Sequence, residues 1–73
     1  MTIITIDNNN QKTEVHTDID SPSMLMADLA FCADECVEMI VELGNKFGDE
    51  QQATVMIGTL VNAISEYTSR IKV

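Results

Sequence analysis

The stretch PSMLMADLAFCADECVEMIVEL, residues 22–43, decides the fold. At about 100° per residue, Leu25, Leu29, Cys32, Cys36, Met39, Ile40 and Leu43 form one seam, and Met26, Ala30, Ala33 and Val37 widen it to roughly half the circumference or more. What remains is purely acidic: Asp28, Asp34, Glu35, Glu38 and Glu42, with no Lys or Arg in the segment. One packed neighbour needs a narrower stripe, so this helix is expected to meet two surfaces. Ser21 is a good N-cap, and Pro22 suits the first helical position, where a missing N–H costs nothing. Gly44 is the expected end, because the residue that follows a helix often needs a left-handed backbone.

Before this segment the chain alternates at period two. Ile4 and Ile6 fall on one side of a strand from about Thr2 to Asp7. Val15, Thr17 and Ile19 fall on one side of a second, from about Lys12 to Ile19, whose other side is Lys12, Glu14, His16 and Asp18. Asn8-Asn9-Asn10-Gln11 reads as the turn between them, since Asn accepts left-handed angles and its amide bonds locally. A two-stranded sheet is marginal by itself in water, so this hairpin is expected to be covered by helices.

After a short connection, Asn45 to Gly48, Asp49 with Gln52 three residues on resembles a capping box and opens a second helix to about Ile71. Its stripe is Ala53, Met56, Ile57, Leu60, Ile64, Tyr67 and Ile71, with Arg70 and Lys72 near the end where cations suit the macrodipole. The short loop predicts antiparallel helices. The expected fold is therefore α+β: one domain, residues 1–73, with an N-terminal β-hairpin (about 2–19) packed on an antiparallel pair of α-helices (about 22–43 and 50–71) in the order ββαα.

At 73 residues a lone core is barely sufficient to offset chain entropy, and with Phe31, Phe47 and Tyr67 as the only aromatics that core must be aliphatic and Met-rich. Association into a homodimer or larger homo-oligomer is the expected supplement. Met26, Ala33 and Val37, the surplus arc of the first helix, are its expected interface. Gly58 joins them, since with Thr54, Val61 and Ser65 it makes a small-residue strip open to close approach by another helix.

The net charge is −8, from twelve acids against Lys12, Lys46, Arg70 and Lys72. Such a surface repels nucleic acid and anionic membrane and favours basic partners. The N-terminal segment lacks the basic and apolar regions of a signal peptide, and no apolar run approaches the ~18 residues needed to cross a bilayer. A cytoplasmic protein is expected.

Asp28, Phe31, Glu35, Glu38 and Glu42 follow a 3-4-3-4 spacing, one row along the outer face of the first helix. An aromatic side chain projecting from carboxylates suits a partner pocket flanked by Lys or Arg. The plain alternative is a solvated acidic face with Phe31 tucked under the hairpin or a dimer mate. Glu35-Cys36-Val37-Glu38 fits the E-x-x-E element of helical Mg2+ sites. However, the second helix offers only Glu50 and Glu66, far apart along its length, so oxygen ligands from both helices do not converge within one chain. Cys32 and Cys36, four apart on an apolar face, are poorly placed for a disulfide and too few for structural zinc, which takes four ligands; they read as small core hydrophobes. His16, beside Glu14 and Asp18, has no matched nucleophile. No catalytic residue, metal or cofactor is expected.

The sequence thus predicts a small, acidic, non-enzymatic protein-binding module that presents a carboxylate row to a basic, nucleic-acid-binding surface. In general character, though by composition and not by any aligned motif, it is similar to the small inhibitors that phages and mobile elements use against host defences. Two other classes fit the same features. One is an oligomeric, sponge-like protein with small-ligand pockets between protomers, which would need Lys12, Lys46, Arg70 and Lys72 to converge for an anionic ligand. The other is a purely structural assembly subunit.

Overall fold

A computed structural model describes residues 1–72. A two-stranded antiparallel sheet, β1 (Thr2–Asp7) and β2 (Lys12–Thr17), is followed by two helices, α1 (Pro22–Phe47) and α2 (Glu50–Thr68), the latter pair forming a helical hairpin. The chain divides into two compact units, Met1–Ala33 and Asp34–Val73. The first holds the β-hairpin and the start of α1; the second holds the rest of α1 and α2.

In the first unit the register sets Ile4 opposite Val15, Ile6 opposite Thr13 and Thr2 opposite Thr17. Side chains alternate across a strand, so Ile4, Ile6, Val15 and Thr17 share one face as the alternation predicts. On the other face Lys12 lies 2.9 Å from Glu14, and His16 lies 3.4 Å from the same carboxylate. The N-terminal ammonium pairs with Asp18.

The turn is held by a residue that is not one of the asparagines. Asp7 Oδ1 accepts the backbone N–H groups of Asn9 at 3.1 Å and Asn10 at 3.2 Å, and its Oδ2 accepts the Asn10 side-chain amide at 2.7 Å. The left-handed residue is Gln11, at φ 51°, whose side-chain amide donates to the Asn8 carbonyl at 2.7 Å. A loop of four residues closed by an Asp side chain leaves the positive angle to its last position, next to Lys12, and that position holds Gln.

These bonds favour ionised carboxyls. The Asn10 side-chain amide, then the turn N–H groups, hold Asp7 below its ordinary 3.8, Lys12 and then His16 lower Glu14, and the N-terminal ammonium lowers Asp18. A depressed folded pKa adds stability that is present above the unfolded value and lost as pH falls through the folded one. The hairpin is therefore expected to loosen on acidification below about pH 4. A carboxyl-detected NMR titration should find Asp7 titrating below its ordinary value, and Asp7→Ala should remove the turn's share of that acid dependence. An Asp7 that titrates at or above the ordinary value would contradict the turn geometry.

At the open end of the hairpin, Thr2 Oγ1 donates to Asp28 Oδ2 at 2.8 Å and lies 2.9 Å from Thr17 Oγ1. With its single proton given to Asp28, the Thr2 hydroxyl accepts from Thr17. This chain ties both strands to α1. The helix begins at Pro22 as expected, the Ser21 carbonyl accepting the Leu25 N–H at 3.0 Å, while the Ser21 hydroxyl pairs with that of Ser23 and not with a backbone N–H.

In the second unit α1 does not stop at Gly44. It continues to Phe47, and the left-handed residue is Gly48, at φ 68°. The Asp49 N–H returns to the Gly44 carbonyl at 2.8 Å, the six-to-one bond of a Schellman ending. Asp49 is at once the residue after that ending and the N-cap of α2, its carbonyl accepting the Ala53 N–H at 3.1 Å. The expected capping box is not formed, since the Asp49 side chain makes no cap bond. Gly44 has a different task. It is buried, and a Cβ built on it falls 2.6 Å from Ala53 Cβ and 3.3 Å from the Asp49 carbonyl oxygen. The reversal is tight because α1 has no side chain where α2 passes.

The second helix ends at Thr68 rather than near Ile71, giving way to i→i−3 bonds from Ser69, Arg70 and Ile71. Thr68 and Ser69 hydroxyls satisfy the Ser65 and Glu66 carbonyls. The Arg70 guanidinium lies 4.9 Å from the Tyr67 ring centre.

Among the described residues no apolar side chain is buried. The best covered are half-buried: Ile4, Ile19, Leu25 and Cys32 in the first unit, and Val37, Ile40, Ala53, Ile57 and Ala63 in the second. No helix among the described residues is long and apolar enough to cross a membrane.

Candidate protein-binding surface

The predicted row divides between the units. In the first, Asp28 is half-buried and engaged with Thr2, so it is a tie between hairpin and helix as well as a charge. Phe31 is 66% exposed, so the hairpin of its own chain does not cover it. In the second unit Glu35, Glu38 and Glu42 are all exposed. Asp34 joins them: ligand atoms of Asp34, Glu35 and Glu38 lie within 4.8 Å of one another. The row pattern omitted Asp34, although a residue adjacent to Glu35 and four before Glu38 necessarily lies near both on a helix.

Ion pairs among the described residues involve Asp18 and Glu14, and none reaches the carboxylates of α1. Lys46, in the last turn of α1, lies 5.6 Å from the Phe47 ring centre instead. Three clustered acids without a cation repel one another, and a partner's Lys or Arg relieves that repulsion. A divalent ion would also relieve it; all three groups are exposed on one helix, and among the described residues no fourth His, Cys, Asp or Glu joins the group.

Of the residues expected at an oligomer interface, Met26 and Ala33 are exposed in the first unit. In the second, Val37 is half-buried and Gly58 is exposed, with nothing within 4 Å of the place a Cβ would take. Cys32 is half-buried and Cys36 exposed, and they do not form a disulfide.

The second unit also carries a feature that the sequence did not reveal. A cleft of about 290 Å3 opens at the closed end of the helical hairpin, lined by Ile40, Leu43, Gly44, Phe47, Asp49, Gln52, Ala53 and Met56. It exists because α1 runs one turn beyond Gly44 and brings Phe47 to the rim. The 3-4 spacing of Ile40, Leu43 and Phe47 was the available signal. Its size is at the lower limit of small-molecule sites, its walls are apolar, and no cation lines it, which argues against an anionic ligand.

No protein-family model matches the chain, and no curated protein and no solved structure matches it either.

Proposed function

We propose that this protein is a small, acidic, non-enzymatic binding module that acts as an oligomer of identical chains and presents carboxylates of α1 to a basic protein surface. The observation that carries the reading is the exposed group Asp34, Glu35 and Glu38, with Glu42 one turn further, which forms no ion pair among the described residues. Exposed charges contribute little to a fold, so their concentration on one helix is better accounted for by recognition. A basic surface that binds nucleic acid is the matching partner, because rows of carboxylates compete for the Lys and Arg that otherwise hold phosphates. In this reading the protein occludes such a site, in the manner of the phage and mobile-element inhibitors whose composition it shares. Phe31 supplies an apolar anchor.

The test is affinity capture from a host lysate, at low and at high salt, followed by binding of the purified interactor in the presence and absence of DNA or RNA. Exposed charges are screened over about 8 Å at physiological ionic strength. The interactor is therefore expected to be retained at low salt, released at high salt, and displaced from its nucleic acid by this protein. Salt-insensitive capture with no competition would count against the acidic surface.

A further inference from the structure

The outer edge of β2, in the first unit, carries an alternation of charge. Among the described residues the sheet has two strands, so β1 and β2 each keep one edge without a ladder partner, and β2 is exposed at every residue except Glu14. An open edge invites another strand, and two strands alone are marginal in water. The two edges differ. β1 has no charged residue from Thr2 to Ile6 and accepts a neighbouring strand in several registers. On β2 acid and base alternate: Lys12, Glu14 and His16 share one face, and Asp18, the next residue at that spacing, is 77% exposed.

This order of base, acid, base and acid is its own complement. When two copies of the strand run antiparallel about a two-fold axis through Val15, Lys12 falls opposite the partner's Asp18 and Glu14 opposite the partner's His16, each twice by symmetry. On the other face Val15 meets the partner's Val15, and Thr13 meets the partner's Thr17. Opposite-charge pairs and paired Thr both stabilise adjacent strands. Val15 also lies opposite Ile4 of its own chain, so an apolar row runs from Ile4 through Val15 and the partner's Val15 to the partner's Ile4. Other registers fail. An axis through Glu14 sets Glu14 against the partner's Glu14, and one through His16 sets Glu14 against the partner's Asp18; like charges directly opposite are destabilising. An axis between residues puts the apolar face of one sheet beside the polar face of the other. Copies of net charge −8 repel, but along this edge the bases of one copy lie where the acids of the other arrive.

We infer that the β2 edge docks a second copy of this chain: residues 12–18 of two protomers pair antiparallel about Val15, giving a four-stranded sheet in the order β1-β2-β2-β1. The contact is isologous, as in most homodimers, and the sequence of charges sets its register. It lies in the first unit and uses none of Met26, Ala33, Val37 and Gly58. The inference rests on the oligomeric part of the function proposed above and not on its acidic part, since no carboxylate of α1 takes part in the pairing.

Sedimentation equilibrium of the full chain at tens of micromolar is expected to give twice 8.1 kDa. Lys12→Asp and Asp18→Lys should each weaken the dimer by about tenfold, because each sets two like-charge pairs across the contact. The two together should restore it, since every pair is then reversed and intact. With Cys32 and Cys36 replaced by Ala, Val15→Cys should cross-link under mild oxidation: residues opposite each other on antiparallel strands have Cα atoms about 4.5–5.5 Å apart, within disulfide reach. Thr13→Cys should not, because its two copies lie about 14 Å apart along the strands. Should the variants fail to fold, isotope-filtered NMR on mixed labelled and unlabelled wild type decides, with Val15 of one copy expected against Val15 of the other. A dimer whose contacts between copies exclude residues 12–18, or one that the charge exchange does not restore, would overturn the inference and leave the oligomeric reading standing. A monomer at every concentration would overturn both. Reversing charge at Glu35 and Glu38 should leave the mass at that of a dimer, so failure of the acidic reading is seen separately.

Discussion

Gly44→Val is expected to destabilise the protein by about 3 kcal/mol, a large share of the about 4–11 kcal/mol that a chain of this length commands. A Cβ at this position lands 2.6 Å from Ala53 Cβ, about 1 Å inside the ordinary 3.5–4.0 Å separation of carbon atoms. Neither atom is the end of a flexible side chain, so relief requires the helices to part. Parting them strains the Asp49-to-Gly44 bond and Gly48, which together set the reversal. Gly44→Ala separates the effects: in an open helix it gains about 1 kcal/mol from propensity, whereas here overpacking of about 1–3 kcal/mol is expected to outweigh that gain. Gly58→Ala is the control, because open space surrounds that position, and it should stabilise by about 1 kcal/mol. Thermal melts of the three variants check the argument. Gly44→Val as stable as wild type would show that the helices do not approach there.

Glu35→Lys with Glu38→Lys is expected to leave the fold intact and to abolish binding to the basic partner. Both side chains are exposed and unpaired, and dispersing a like-charged cluster is neutral or mildly favourable for a helix. For the partner the change is severe: two attractions become two repulsions, and like charges set against each other cost several kcal/mol across an interface. Phe31→Ala should act differently, raising the dissociation rate by removing an apolar anchor while leaving salt-dependent association unchanged. Circular dichroism establishes the fold and surface plasmon resonance with the captured partner the rates. Unchanged affinity in the correctly folded charge-reversed protein would remove Glu35 and Glu38 from the binding surface.

The order of elements was legible because each has a strong local signal. The period-two alternation gave both strands, although the second ends at Thr17 and not near Ile19, and Ser21-Pro22 marked the start of α1. The first misreading came where one residue type serves two purposes. Gly44 and Gly48 are four apart, and either can supply a left-handed ending; only the second does, while the first provides room for Ala53. The continuing stripe through Phe47 was the evidence against a stop at Gly44. At the hairpin turn, three consecutive asparagines drew attention from Gln11, which holds the left-handed angle while Asp7 closes the loop. The Thr2–Asp28 bond joins residues distant in sequence and leaves no local pattern. Of the candidate site, the exposed carboxylates followed directly from helical periodicity. The apolar cleft did not, because it depends on where α1 ends and how closely α2 returns.

Among the described residues no apolar side chain is buried, and the proposal that carries most weight is that a second copy completes the fold. Its most direct test is the melting temperature of wild type measured over a hundredfold range of concentration. For a fold coupled to association, dilution favours the unfolded chain by mass action. The account predicts a melting temperature that rises steadily with concentration, together with a dimer mass at the upper end. A cooperative melt at one temperature throughout, from a species of 8.1 kDa, would contradict it.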